Sequence, residues 1–582
     1  MKASKKPAQK KPFREVLKAF LKHNYIYIIM LLLVAARVGL GYAIGAWYGT
    51  NQECDDLAMF NGLSPWRITQ PNEMSLIKDL SFSLFLGVSA VTNLPYTIVL
   101  SLFWALTALV AWLAIGKVTK NKWLRLFAFA YVLFLPTAFE SWSGLRIYRN
   151  SIFVPCIILT FSLALMLLID LIKKEKTKKT VWTAIFAGLS YAFTYHLQEG
   201  AAWLKACMLV MLLVCLIIIC YRFFKTKVKG KLELKKTISW LAICLTPFVI
   251  LFAWTNIYKG INHAFFGVYE TNTRTNGELA KYVETTYIVD SPNRNMLVWS
   301  PYDAIAATFE ASPTLKSHPE LLEGIRTTEW FEGDIEKHPI IREFFGWVIR
   351  TELKQAGLWT SEKDVSDMFK QVNTELSEAF KNGSLKKAEG RIQPLKSAYP
   401  YTWDEIVAWD FPGQTWTSLK DAVWLEGYTI GFSYSSNDSN QFRDGKILHM
   451  IGDVNNPTGR KREFGKTVAN IIAWAYRIIN TVLILSSLAF ILAQIIRLFK
   501  NWKTRKKYLK EHKTTLCLAL ASFMFFGAAI AYSLGISWFF TEEFTRQIFL
   551  FYRIGMSGLL TLAYLSALIG IVVEHQKSKT KH

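Results

Sequence analysis

"YIYIIMLLLVAARVGLGYAIGAWY" (25–48) is 24 residues of nearly unbroken apolar and aromatic character. About 20 such residues are what an α-helix needs to cross the hydrocarbon core of a bilayer. Directly after it stands "GTNQECDDLAMFNG" (49–62), in which Glu53, Asp55 and Asp56 crowd three carboxylates into four positions. A cluster of this kind at the mouth of a span is a solvated turn, a divalent-cation site, since hard ions take oxygen ligands, or part of a reaction centre. Read alone, the stretch leaves all three open.

Runs like the first recur along the whole chain of 582 residues, which is 52% hydrophobic and 15% aromatic. They fall at roughly 25–48, 93–116, 123–140, 151–172, 180–198, 202–221, 238–258, 467–496, 514–538 and 549–573, ten spans in all. The positive-inside rule tests this division. Segments 1–22, 117–125, 173–179, 222–236, 497–513 and 574–582 then share one side and carry 35 of the 68 Lys+Arg residues. The long segment 259–465 falls on the other side with 23 Lys+Arg against 29 Asp+Glu, a net of −6. The formal charge of +24 is therefore a topology signal and not a nucleic-acid footprint. Both termini are expected in the cytoplasm. The basic start, 1–24, leads into a full-length span without a small-residue cleavage site. "LSFSLFLGVSAV" (80–91) is too short to span and reads as a helix lying in the interface.

Segment 259–465 is about two hundred mostly polar residues with turn signals such as "VDSPNRN" and "DVNNPTGR". "EKDVSDMFKQVNTELSEAFKNGSL" places Val365, Met368, Phe369, Val372, Leu376 and Phe380 at helical spacing and predicts a helix ending at Asn382-Gly383. Its tryptophans are dense and fit a folded core as well as a sugar-stacking surface. It contains no cysteine, whereas six of the seven cysteines lie in or at spans, so its fold does not depend on disulfides. That suits a bacterial surface.

Ionisable groups at the membrane are informative, because each costs roughly 2.5–3.5 kcal/mol near a span centre. Those at span ends gather on the outer side. They are Glu53, Asp55, Asp56 and Arg67 in the first loop, then Glu140, Arg146 and Arg149 in "FESWSGLRIYRNS". His196, Glu199 and Lys205 follow in "TYHLQEGAAWLK", and Glu542, Glu543, Arg546 and Arg553 close the set. Arginine's planar fork suits phosphate oxygens, and a carboxylate can take a proton from a hydroxyl nucleophile. Together these fit transfer from a lipid-linked phosphate donor to a hydroxyl acceptor. Blander readings stand beside this one: arginines anchored to lipid headgroups, and a hydrogen-bonded structural histidine.

An acidic motif after the first span, a short interfacial helix, seven closely strung spans and a large outer insertion resemble the GT-C membrane glycosyltransferases. "ECDD" (53–56) matches the position of that superfamily's catalytic acid, and "GLRIYRNS" (144–151) and "HLQEGAAWL" (196–204) resemble outer-loop motifs of bacterial GT-C-like proteins. "FFGWVIRTELKQAGLWTSEKDVSDMFKQVNTELSEAF" (344–380) resembles a further segment of them. Where such relatives often carry Arg-Glu, this chain has Gln198 before Glu199.

The resemblance implies an α-helical polytopic membrane protein with a mixed α/β or mainly helical domain inserted between spans seven and eight. The expected division is a basic segment 1–24, a seven-span module 25–258 with a catalytic first outer loop 49–92, an outer domain 259–465, and three further spans with a basic tail over 466–582. The implied activity moves a sugar, with inversion, from a polyprenyl-phosphate donor to a hydroxyl of a surface glycan on the outer face of a bacterial plasma membrane. Asp55 or Asp56 would be the base. Glu53, Arg67, Glu140, Arg146, Arg149, His196, Glu199 and Arg553 would bind substrate. No cofactor is required by this reading, and a divalent cation such as Mg2+ or Mn2+ is compatible with it. The expected partners are the donor lipid, the acceptor glycan and membrane lipids, without nucleic acid. The rival reading is a transporter or flippase of a lipid-linked anionic saccharide. The absence of visible internal repeats and of charges deep in most spans counts against it.

Overall fold

The computed structural model describes residues 13–47, 72–174, 177–225, 231–431, 446, 448–449, 460–539 and 551–579. The membrane part of these is built on ten helices and one short one. In chain order they are α1 (Phe13–Ile44), the short α2 (Ser81–Thr92), α3 (Tyr96–Gly116), α4 (Lys122–Leu133), α5 (Asn150–Lys173), α6 (Lys178–Tyr195), α7 (Ala202–Lys225) and α8 (Lys231–Phe266). After the inserted domain come α14 (Arg460–Lys500), α15 (Lys513–Phe539) and α16 (Gly555–Lys579). Among the described residues, eight helices are long and apolar enough to cross a membrane. Ten spans were expected. The two that fall short are α4, which stops after 12 residues before Pro136, and α6, whose 18 residues open on Lys178-Lys179 and are not apolar enough. Twelve residues of helix rise about 18 Å, so α2 is also too short to cross.

Local signals explain the breaks. The Asn121 side chain accepts from the amides of Trp123 and Leu124 and starts α4. Thr177 and Thr180 form a capping box that starts α6. Close packing then needs small residues. A Cβ on Gly188 of α6 would come within 2.6 Å of Ile250 on α8, so glycine lets those two helices touch. Helices α5 and α16 form the middle of the bundle, with 72% and 83% of their apolar windows buried, against 22% for α7 and α8. The peripheral helices turn side chains such as Leu31, Phe252 and Trp474 outward, as lipid-facing surfaces require.

The contacts sort the helix ends into two groups, matching the division drawn from charge. At one end Lys117 pairs with Asp170, Arg222 donates to the Ile172 carbonyl at 2.9 Å, Gln494 to Glu574 at 2.9 Å, and Tyr25 meets Trp123. At the other end Trp47 donates to the Ser141 carbonyl at 2.7 Å, Asn150 to that of Phe551 at 2.5 Å, and Gln198 to Asn150 at 2.6 Å.

The inserted domain is mainly helical, with α9 (Gly277–Thr286), α10 (Tyr302–Ala311), α11 (Phe345–Gln355), α12 (Glu362–Asn382) and one antiparallel ribbon of β1 (Arg391–Ile392) and β2 (Tyr401–Thr402); α13 (Phe411–Trp424) follows it. Helix α12 forms as its spacing predicts. The Ser361 hydroxyl caps it through the Asp364 amide, and Gly383 ends it at φ +80°, a conformation that favours glycine. Val365, Phe369, Val372 and Leu376 are buried against Tyr282, Phe345 and Ile349. This core ends near residue 401. The following stretch belongs to the membrane part: α13 packs on α14 and α15, Asn480 donates to the Val423 carbonyl at 3.1 Å, and Ser533 to Ser418 at 2.8 Å.

Candidate functional site

The first loop re-enters the described residues at Asn72 and is pinned by the inserted domain before it reaches α2. Buried Arg350 on α11 donates to the Glu73 carbonyl at 2.6 Å and to the Thr273 hydroxyl at 2.5 Å, and lies 3.6 Å from Glu362. Lys354 bridges to the Glu73 carboxylate at 2.7 Å. The Thr273 amide donates to the Leu76 carbonyl at 2.7 Å, while Met74 and Ile77 pack on Trp347. These contacts fix the next two residues, Lys78 and Asp79, which are 8% and 7% exposed.

Asp79 meets a second carboxylate from another part of the chain. Glu199 opens the 3-10 turn before α7 and pairs with Arg149, at the head of α5. Arg274 approaches the same oxygen at 3.5 Å. The other oxygen, Oε1, is buried without a hydrogen bond among the described residues. Asp79 accepts from the Asn272 amide at 3.1 Å. Burial, and then the Glu199 charge, push its carboxyl up to about 7, against the opposing pull of its hydrogen bonds to Asn272 and Thr271 and of Arg149. Trp347 lies between two cations, with Lys78 at 5.3 Å and Arg274 at 5.6 Å from its ring. Two carboxylates, Asp79 and Glu199, and three cations, Arg149, Arg274 and Lys78, thus gather beside Tyr258 and Trp347. Such a site can hold an anion's oxygens on guanidinium and ammonium groups while a carboxylate near its titration point exchanges a proton.

The other expected site residues are distributed around this cluster. Arg146 is boxed by the rings of Tyr148 at 4.6 Å, Phe551 at 5.6 Å, Trp142 at 5.8 Å and Trp47 at 5.9 Å, and its backbone bridges to Trp47. It shapes the turn that presents Arg149. Glu140 starts that turn, accepting from the amides of Trp142 and Ser143 and from the Ser143 hydroxyl at 2.6–2.9 Å. The turn folds so tightly that a Cβ on Gly144 would stand 2.3 Å from the Thr137 carbonyl oxygen. His196 shares a hydrogen bond with Thr255 at 2.7 Å and sets its ring edge-on to Tyr258. Arg553 donates to the Gln414 carbonyl and the Ser537 hydroxyl, each at 3.0 Å, and so ties α13 and α15 to the residues just before α16. Glu53, Asp55, Asp56 and Arg67, with Glu542, Glu543 and Arg546, lie outside the described residues.

Sequence reasoning missed Asp79, Lys78 and Arg274. The first two do fall in the expected catalytic loop, directly before the interfacial segment, and that adjacency was the available signal. Nothing local distinguishes Arg274. Among the described residues no group of three or more His, Cys, Asp or Glu side chains is arranged to hold a metal ion. No family model, no curated protein and no solved structure matches the chain.

Proposed function

We propose that the chain is a membrane glycosyltransferase that moves a sugar from a polyprenyl-phosphate donor to a hydroxyl of a surface glycan, with the Asp79–Glu199 cluster as its reaction centre. The observation that carries this reading is the placement of Asp79: a buried first-loop carboxyl, pushed up by burial and by Glu199, set beside a Glu199 that gathers Arg149 and Arg274, cations that suit a phosphate.

In the proposed reaction the ionised Asp79 carboxylate takes the proton of the acceptor hydroxyl. That oxygen attacks the anomeric carbon as the bond from this carbon to the phosphate oxygen breaks, and the polyprenyl phosphate leaves with the bonding pair. Arg149, Arg274 and Lys78 offset the charge gathering on the leaving phosphate, the electrostatic role that contributes most in such sites. Glu199 orients the two arginines. Inversion at the anomeric carbon follows from a single displacement. The resemblance gives the base to Asp55 or Asp56; with Asp79 proposed in that role, those two would orient the acceptor or share the base function.

The test is to purify the chain with Asp79→Asn, Asp55→Asn and Asp56→Asn, each separately, and to follow a labelled polyprenyl-phosphate sugar. Loss of transfer in the Asp79 variant at normal abundance is the expected result. Full activity of that variant overturns its role as base. Translocation of uncleaved donor by the unaltered protein overturns the enzyme reading and favours a flippase.

A further inference from the structure

At the opposite end of the helices from the Asp79–Glu199 cluster, a cavity of about 220 Å³ opens between the pair α3/α5 and the pair α15/α16. Its walls are apolar, with Leu165, Leu168, Leu518 and Leu565 among the lining residues. Leu165, Leu168 and Leu518 are only half-buried, so the trough opens on the flank of the bundle, where acyl chains lie. Its rim carries Lys117, Lys173 and Lys513. Lys117 is paired with Asp170, and Lys173 reaches the Lys117 carbonyl at 2.6 Å. Among the described residues Asp170 is the one carboxylate paired with this rim, and Lys173 and Lys513 add positive charge beside an apolar slot without an ion pair to any of them.

We infer that this cavity binds an anionic phospholipid of the surrounding leaflet, its chain in the trough and its phosphate between Lys173 and Lys513. Both halves of the lining point to that one class of ligand. A detergent-like neutral chain would leave the ammonium pair unused, and a free anion would leave the leucine walls unused. Basic pockets between membrane helices are a recurrent way of holding such headgroups. The bound lipid would join the first helical module to the last three helices, because its walls come from both.

The inference does not depend on the reaction proposed above, and its test uses binding alone. The full chain, purified and stripped of lipid in detergent, is titrated with phosphatidylglycerol and, separately, with phosphatidylcholine, and bound lipid is counted by native mass spectrometry. Phosphatidylglycerol is expected to bind more tightly. Lys173→Gln with Lys513→Gln should weaken it roughly 30-fold, the worth of two lysines near an anionic surface, and leave phosphatidylcholine unchanged. Both lysines are exposed, so the variant keeps the fold. Ser566→Phe, which fills the trough from α16, should lower binding of both lipids. Equal binding of the two lipids by the unaltered chain, undiminished phosphatidylglycerol binding by the double lysine variant, or its displacement by millimolar inorganic phosphate would each overturn the inference.

Discussion

Replacing Asp79 by Asn should make the protein more stable and less active, and the gain should grow with pH. A buried carboxyl raised from 3.8 to about 7 keeps in the native state a proton that the unfolded chain releases near 3.8. Stability therefore falls as pH rises between those values, and the full loss persists above 7. The displacement corresponds to about 4 kcal/mol at 1.36 kcal/mol per pH unit. About 1 kcal/mol of it has developed at pH 4.5. Asparagine keeps an acceptor for Asn272 and removes the charge, so it escapes this loss. At about 2 °C per kcal/mol, the low end for large domains, Asp79→Asn should melt roughly 8 °C above the unaltered chain at pH 8.5. At pH 4.5 the two should nearly coincide. The assay is thermal unfolding in detergent at both pH values. An equal difference at the two would refute the reasoning, because Asp79 would then not be the carboxyl that the fold holds protonated.

Three further outcomes follow from the same contacts. Transfer activity should fall as pH drops through about 7, where Asp79 takes up its proton, and Glu199→Gln should move that limb to lower pH by removing the charge that raises Asp79; a pH–rate profile reads both. Arg350→Met should destabilise the chain by about 3–5 kcal/mol, since it strands Glu362 as a buried charge, and adding Glu362→Gln should restore part of the loss in a melting experiment. Gly144→Ala should cost about 1–3 kcal/mol by forcing backbone apart, because its Cβ meets the Thr137 and Ala138 backbone within 2.8 Å, whereas Gly346→Ala meets nothing within 4 Å and should melt as the unaltered chain does.

How far the sequence carries depends on how local the physics is. Helix α12 was legible to its last turn, because its apolar spacing and the Asn382-Gly383 stop act within a few residues. The grouping of helix ends was legible from Lys and Arg alone, since charge placement follows a rule that needs no partner. The site was only half legible. Arg149 and Glu199 were singled out by standing at span ends, but their pairing across 50 residues was not. Arg146 and Arg149 looked equivalent in "GLRIYRN", and only packing separates them: one is enclosed by aromatic rings, the other reaches a carboxylate. Asp79 acquires its raised pKa from burial and from Glu199, with Thr271 and Asn272 against it, groups that stand more than 110 residues further along the chain. The stretch over 411–424 read as part of a polar outer segment because its serines, threonines and Asp421 hide how well it fits between α14 and α15.

One arrangement governs how this protein can change over time. Asn272, Thr273 and Arg274, in the segment between α8 and α9, are at once struts that hold the first loop and neighbours of the carboxylate cluster. The root of the inserted domain is therefore tied to the site, while its far side, around α9, α10 and the tip of α12, touches none of it. Substitutions should accumulate freely on that far side and hardly at all at the root, so the domain can acquire new surface chemistry without disturbing the cluster beneath it.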